Sequence, residues 1–256
     1  MSETLELALL VARRNWIVYK RDFVANVSPT VADPLFFIFS LGFGLGAFIP
    51  EVEGRSYLQF LAPGLIMITA LMTSFFECSY GFYVRLTYEK VYQAMLTTRV
   101  GPAEVLLGEF IWVAGKGALM SLGVALVFAC FGTVENPLTL PLIMWAGALV
   151  AVGLGAVGLM ASAWCRNINQ FQTVYAFVIS PLFFFSGVFF PLEKLPRPAY
   201  WIVNLSPLAH GVKLSQAIFW NEGLPQALLL RSSVMIVQSL ILGAIAWKAV
   251  SRKLSN

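Results

Sequence analysis

Charge in this chain is confined to short segments between long apolar runs, and that spacing leaves one solvent in which the chain can fold. The hydrocarbon core of a bilayer, roughly 30 Å thick, is crossed by about 20 apolar residues of helix. Six stretches meet that length: Val31 to Pro50, Tyr57 to Val84, Val105 to Phe131, Leu138 to Trp164, Phe171 to Phe190 and Leu228 to Trp247. The fourth and fifth contain no charged residue. Of 256 residues, 59% are hydrophobic and 12% charged, about half the charge density of an ordinary soluble chain. The sequence therefore predicts an all-α polytopic membrane protein, a single domain over 1–256, with six transmembrane helices.

An even number of spans puts both termini on one side. Most of the 17 Lys and Arg lie there: Arg13, Arg14, Lys20 and Arg21 before the first span, Arg85, Lys90 and Arg99 after the second, Arg166 after the fourth, and Lys248, Arg252 and Lys253 at the end. The positive-inside rule makes that side cytoplasmic. No long basic tract is present, which argues against a nucleic-acid partner. The acids that precede the first apolar stretch, with no small-residue cleavage site, argue against a signal peptide.

Three connecting segments are unusual. Residues 1–26 predict an interfacial helix in which Leu5, Leu9, Ala12, Trp16, Tyr19 and Phe23 form a stripe opposite Arg14 and Arg21. Val11 and Val18 interrupt the polar face, so docking against the spans is an alternative. The stretch 85–104, RLTYEKVYQAMLTTRVGPAE, predicts a cytoplasmic helix over Thr87 to Thr98, ended by Gly101 and Pro102. A helix presenting Tyr88, Tyr92, Met95 and Leu96 to water is costly, which points to a protein partner over a solvated hairpin. The stretch 191–225 is too apolar for a free loop. Pro196, Pro198, Pro207 and Gly211 divide it, which predicts two half-helices, Tyr200 to Leu205 and Lys213 to Trp220, in an external re-entrant hairpin before the last span.

The chemistry-bearing residues are few. No GxxxxGK[ST] phosphate loop exists, so a nucleotide motor would have to be another chain. His210 is the only histidine and stands outside any nucleophile or metal motif, so it is expected to hold the broken backbone of the hairpin and no catalytic or metal site is expected. Cys78, Cys130 and Cys165 read as packing residues. Ionisable groups inside a span are costly and mark function. Glu77 and Lys116 lie about 12 and 16 Å from the cytoplasmic end of adjacent spans at about 1.5 Å per residue. They could form a buried pair, or Glu77 could bind a proton or a cation. Gly42 and Gly46, and Gly147, Ala151 and Gly155, recur at four-residue steps and allow close helix approach, within the chain or at a homodimer seam.

Taken together these residues resemble a known family, the permease subunits of type 2 ABC exporters. The most specific stretch is SGVFFPLEKLPRPAYWIVNLSPLAHGVKLSQAIF, Ser186 to Phe219, similar to the family's C-terminal signature. YLQFLAPGLIM and YEKVYQAMLTTRVGPAEVLLGE, Tyr57 to Met67 and Tyr88 to Glu109, look closest to the nodulation-factor, or lipo-oligosaccharide, exporter branch.

The resemblance implies a bacterial inner-membrane permease homodimer joined to two separate nucleotide-binding subunits. Those subunits would bind ATP and Mg, leaving this chain neither an enzyme nor the holder of a cofactor. It implies that Thr87 to Thr98 is the coupling helix, with Tyr88, Glu89, Lys90, Tyr92, Gln93, Met95, Leu96 and Arg99 meeting the ATPase. Phe189, Pro191, Tyr200, Trp201, Asn204, Pro207 and His210 would form the outer gate. The substrate would be amphipathic: a lipid-linked oligosaccharide, a polysaccharide or a hydrophobic drug. An ion-coupled secondary transporter or channel using Glu77 and Lys116 is the alternative.

Overall fold

In the computed structural model the residues described are 2–49, 51–134 and 136–255. Among them the chain forms ten helices and one two-stranded hairpin. Helix α1 is Ser2–Arg21, and α2 is Phe23–Phe37, which continues through a π-helical stretch, Ile38–Gly44, and a tight turn, Leu45–Ala47. Strands β1 (Glu51–Val52) and β2 (Arg55–Ser56) pair antiparallel, an exception to the all-α expectation. Glu53 and Gly54 both have positive φ, 54° and 74°, as a two-residue hairpin turn requires. Helix α3 is Tyr57–Thr87, interrupted by a π turn at Glu77–Gly81. Then come α4 (Val91–Leu96), α5 (Pro102–Cys130), α6 (Leu140–Trp164), α7 (Gln170–Phe185, with a π turn at Tyr175–Ile179), α8 (Arg197–Asn204), α9 (Pro207–Trp220) and α10 (Leu224–Ser255).

Local chemistry sets several of these boundaries. Ser56 opens α3 with a capping box: its hydroxyl accepts from the Gln59 amide at 3.3 Å and the Gln59 side chain accepts from the Ser56 amide at 3.2 Å. Pro102 stands at the start of α5, where the Gly101 amide donates to Glu104 at 2.9 Å. Ser206 caps α9, and Asn221 ends it in the left-handed region.

Four of the six expected spans are helices long and apolar enough to cross a membrane: Tyr57–Thr87, Pro102–Cys130, Leu140–Trp164 and Leu224–Leu254. The other two segments form shorter apolar helices, Leu35–Ala47 and Gln170–Phe185. Pro50, at the end of the first expected span, lies outside the described residues. The fifth span was expected to run to Phe190, but the helix stops at Phe185. Gly187, at φ 85°, turns the chain so that Val188 packs onto Gly64, where a Cβ would lie 2.7 Å from its side chain.

Close packing of small residues builds the centre. A Cβ on Gly147 would lie 2.1 Å from Ser121 Oγ, one on Gly117 would lie 2.3 Å from the Ala151 Cβ, and Gly155 faces Cys78 and Val113 at 3.2 Å. Gly42 likewise meets Leu58. The four-residue glycine steps at Gly147, Ala151 and Gly155, and Gly42 of the first pair, make close contacts inside one chain.

Three boundaries in the connecting segments differ from expectation. Helix α8 begins at Arg197, not Tyr200, with Pro198 in its first turn. The cytoplasmic helix does not run from Thr87 to Thr98: Lys90, with φ 54°, breaks it, and only Val91–Leu96 is helical after the end of α3. Helix α9 begins at Pro207, not Lys213, because Pro207 occupies a first-turn position that needs no N–H. Gly211 does not cut it. There the helix crosses α6 so closely that a Cβ would fall 2.3 Å from Val150.

Candidate functional site

Helix α1 runs beside α5. Ala8 and Val11 press on Gly108, while Tyr19 reaches Trp112 (ring centroids 5.5 Å apart) and Met120 (3.9 Å). The buried face is Ala8, Val11, Asn15 and Tyr19, at helical steps of three and four. Val11, which spoils the stripe as an interfacial pattern, is explained by docking, and Leu5, Leu9 and Trp16 stay exposed beside it.

That docking delivers Asn15 to the centre of a buried polar network. Glu109 on α5 is fully buried and accepts three hydrogen bonds: from Asn15 Nδ2 at 2.8 Å, from the Tyr92 hydroxyl at 2.8 Å and from Arg85 at 2.9 Å. Arg85, near the end of α3, also donates from Nε to the Tyr92 hydroxyl at 2.8 Å and from a terminal nitrogen to Glu77 Oε1 at 2.6 Å. Lys116 Nζ lies 2.6 Å from Glu77 Oε2 and stands 4.8 Å over the ring of Tyr19. Two carboxylates therefore face two cations, and every charged head has a partner, as buried charge requires. Tyr92 remains a hydrogen-bond donor. Burial first, and the Glu109 charge second, hold its phenol well above the usual range.

Thus the structure brings together Glu77, Lys116 and Tyr92 with three residues that the sequence reading did not single out as site residues, Asn15, Arg85 and Glu109. Arg85 reads as a loop cation until α3 is seen to extend past it. Glu109 carries a signal in the sequence: it is an acid inside an apolar span, seven residues and so about two turns before Lys116 on the same helix face.

The residues expected to couple to a partner divide into two faces. Tyr92 is fully buried and so does not project toward a partner as expected, while Met95 and Leu96 are half-buried, packed in part against the core. Tyr92 turns inward because its hydrogen-bonding partners are inside, and the apolar neighbours follow. Tyr88, Glu89, Lys90, Gln93 and Arg99 are exposed. Arg99 lies 3.9 Å from Glu3, which brings the N-terminus to the same end of the molecule. Lys253 near the C-terminus donates to the carbonyls of Ser162 (2.6 Å) and Cys165 (3.2 Å), which end α6.

Above the network lies a cavity of about 720 Å³ between α2, α3, α5 and α7. Glu77, Arg85 and Lys116 edge it at one side, and Leu65, Met72 and Phe183 line the other.

The expected outer-gate residues gather only in part. Pro191, Pro207 and His210 are buried, Phe189, Tyr200 and Asn204 half-buried, and Trp201 points away, 70% exposed. His210 Nε2 donates to the Asn204 carbonyl at 2.8 Å, tying the start of α9 to the end of α8, while Nδ1 accepts from Arg231 of α10 at 3.1 Å. This tautomer is neutral, and burial holds the His210 pKa below its usual value, the nearby Arg231 and Lys213 adding to the effect. Arg55 of the hairpin pairs with Glu222 and lies 4.7 Å over the Trp220 ring. No group of three metal-ligating side chains occurs among the described residues.

Comparison with known proteins gives one consistent answer. The model of the family described as ABC-2 type transporter matches residues 6–220. The chain is 32% identical to Nodulation protein J of Rhizobium meliloti (strain 1021) over 84% of its own length and 82% of that protein. To Nodulation protein J of Rhizobium leguminosarum bv. viciae it is also 32% identical, over 80% and 79%. It is 24% identical to the inner membrane transport permease YadH of Escherichia coli (strain K12) over 73% and 72%. No solved structure matches the chain.

Proposed function

The chain belongs to the ABC-2 type transporter family, and from that premise we propose that it is the permease subunit of an ATP-driven exporter whose ATPase is a separate chain. Two copies of each subunit form the working unit. Both termini, α4 and the end of α6 face the cytoplasm, where most of the Lys and Arg lie. Helices α8 and α9 form the re-entrant element at the outer end.

The observation that carries this reading is the anchoring of α4. A helix of six residues has little stability of its own, and here its exposed side offers Glu89, Lys90 and Gln93 to a partner while Tyr92 is hydrogen-bonded to α3 and α5. A push on α4 by an ATPase is transmitted through Tyr92 to Arg85 and Glu109. Arg85 holds Glu77 at the edge of the cavity, so the motion reaches the substrate path. The substrate we propose is amphipathic, its polar part at the charged edge and its acyl or aromatic part against Leu65, Met72 and Phe183. Lipo-oligosaccharide is the first candidate, on the strength of the Nodulation protein J relatives.

Use of Glu77 and Lys116 as a transported-ion site is the weaker reading. Both carboxylate oxygens of Glu77 already hold a cation, Arg85 on one and Lys116 on the other, each at 2.6 Å. The test is reconstitution with the partner ATPase. Glu89→Ala with Gln93→Ala, on the exposed side of α4, should lower ATP turnover and transport several-fold without changing the melting temperature. Unchanged turnover and transport would refute the coupling assignment. Transport by this chain alone, without nucleotide, would favour the ion-coupled alternative.

A further inference from the structure

A second groove, of about 520 Å³, lies between α1 and α5, with Met144 of α6 also in its wall and Lys116 lining both it and the main cavity. We propose that it holds one anionic phospholipid, with the phosphate at Arg13 and an acyl chain along Ile111, Gly115 and Leu119.

Four observations lead there. First, the lining is apolar and aromatic apart from two cations, Arg13 and Lys116. Lys116 is already neutralised by Glu77 at 2.6 Å. Arg13 is exposed and makes no ion pair among the described residues, so the charge left for a ligand is positive.

Second, the groove has a polar end and an apolar end in the order a lipid needs. Val11 meets Gly108 and Tyr19 meets Met120, so going forward along α1 is going forward along α5. Arg13 therefore lies toward the start of α5, and Leu119 lies further along the membrane helix, about 12 Å beyond Ile111 at about 1.5 Å per residue. A headgroup at Arg13 leaves room for a tail directed into the bilayer.

Third, Gly115 leaves the middle of the groove open: a Cβ there meets nothing within 4 Å, although Gly117, two residues on and facing the other way, is in tight contact with Ala151. In a bilayer such a slot is filled by hydrocarbon.

Fourth, Trp112 lines the groove with only 6% of its surface exposed, and its indole N–H has no hydrogen-bond partner. That nitrogen has no accessible surface, so the ring contributes apolar wall to the groove and no donor.

The inference requires only that the chain be embedded in a bilayer. Assignment to the inner leaflet rests on the orientation proposed above.

The test uses the full-length protein, stripped of lipid in detergent and then offered phosphatidylglycerol or phosphatidylcholine of identical acyl chains, with retained adducts counted by native mass spectrometry. One phosphatidylglycerol should remain per chain, in preference to phosphatidylcholine, and inorganic phosphate should neither compete for the site nor stabilise the fold. Arg13→Gln should weaken the phosphatidylglycerol adduct about fivefold, the weight of one basic residue at an anionic surface. Gly115→Phe should fill the slot and abolish the adduct. Equal retention of the two lipids, competition by free phosphate, or equal retention by the wild type and Arg13→Gln would overturn the proposal. Arg13→Gln changes an exposed side chain, so its result stands even if Gly115→Phe does not fold. Loss of ATPase coupling would not alter any of these outcomes.

Discussion

Replacing Glu109 by Leu should be among the most damaging single changes in the membrane helices, and the way to undo the damage follows from charge counting. Wild type balances Glu77 and Glu109 against Arg85 and Lys116. Glu109→Leu leaves two buried cations on one carboxylate and strips Asn15 and Tyr92 of their acceptor. Breaking a buried ion pair from one side costs about 3–5 kcal/mol, or roughly two to four powers of ten in the folded-to-unfolded ratio. Adding Arg85→Met restores neutrality, because Glu77 and Lys116 remain paired at 2.6 Å. The double variant still strands the Tyr92 hydroxyl and the Asn15 amide, each at about 1–3 kcal/mol. Adding Tyr92→Phe removes the phenol's cost and leaves only that of Asn15. Stability should therefore rise from single to double to triple variant, measured by unfolding in mixed micelles with tryptophan fluorescence. A single-variant loss below about 1 kcal/mol, or a double variant as unstable as the sum of its two singles, would refute the network as described. On the coupling proposal, the triple variant folds yet fails to link ATP turnover to transport.

Two further outcomes test other parts of the molecule. Gly147→Leu places side-chain atoms where Ser121 Oγ now lies 2.1 Å from the ideal Cβ, and should destabilise by at least about 1–3 kcal/mol through forced separation of α5 and α6. Gly123→Leu, with nothing within 4 Å, is the neutral control, and equal melting temperatures would refute the close packing. At the outer end, His210 is held neutral by burial and by Arg231 and Lys213, against the favourable bond to Asn204. Its folded pKa lies below the unfolded value, so the unfolded chain takes up the proton first and stability falls as pH drops below about 6.5. The amide of His210→Gln can donate to Asn204 and accept from Arg231 without titrating. Its melting temperature should be flatter between pH 5 and 7, and identical slopes would refute the assignment.

The long spans were legible because burial in hydrocarbon imposes one composition over about 20 residues, a signal that Leu140–Trp164 carries without interruption. What escaped depends on contacts between distant segments. The end of α7 at Phe185 is dictated by Val188 seeking Gly64, more than a hundred residues earlier. The face of α4 could not be read from its own pattern, because Tyr92 is as suited to a protein partner as to a core, and its partners Arg85 and Glu109 stand on two other helices. Val11 looked like a flaw in an amphipathic stripe until Gly108 supplied the surface it fills. The intramembrane charges, by contrast, are marked by their cost, which Glu109 in the third span shares with Glu77 and Lys116.

The hydrogen bonds of Glu109 also set limits on how such proteins can be recombined. Its three donors come from Asn15, Arg85 and Tyr92, spread over more than seventy positions of the chain. On the coupling proposal, a chimera that grafts residues 88–99 from a relative brings a foreign motor-facing surface but inherits the host's internal socket. The graft will seat only if it carries a phenol at the position of Tyr92, or if the socket residues travel with it. If α4 meets the motor as proposed, the transplantable unit for joining this chain to another ATPase is the exposed side of α4 alone, with Tyr92 kept as the fixed plug.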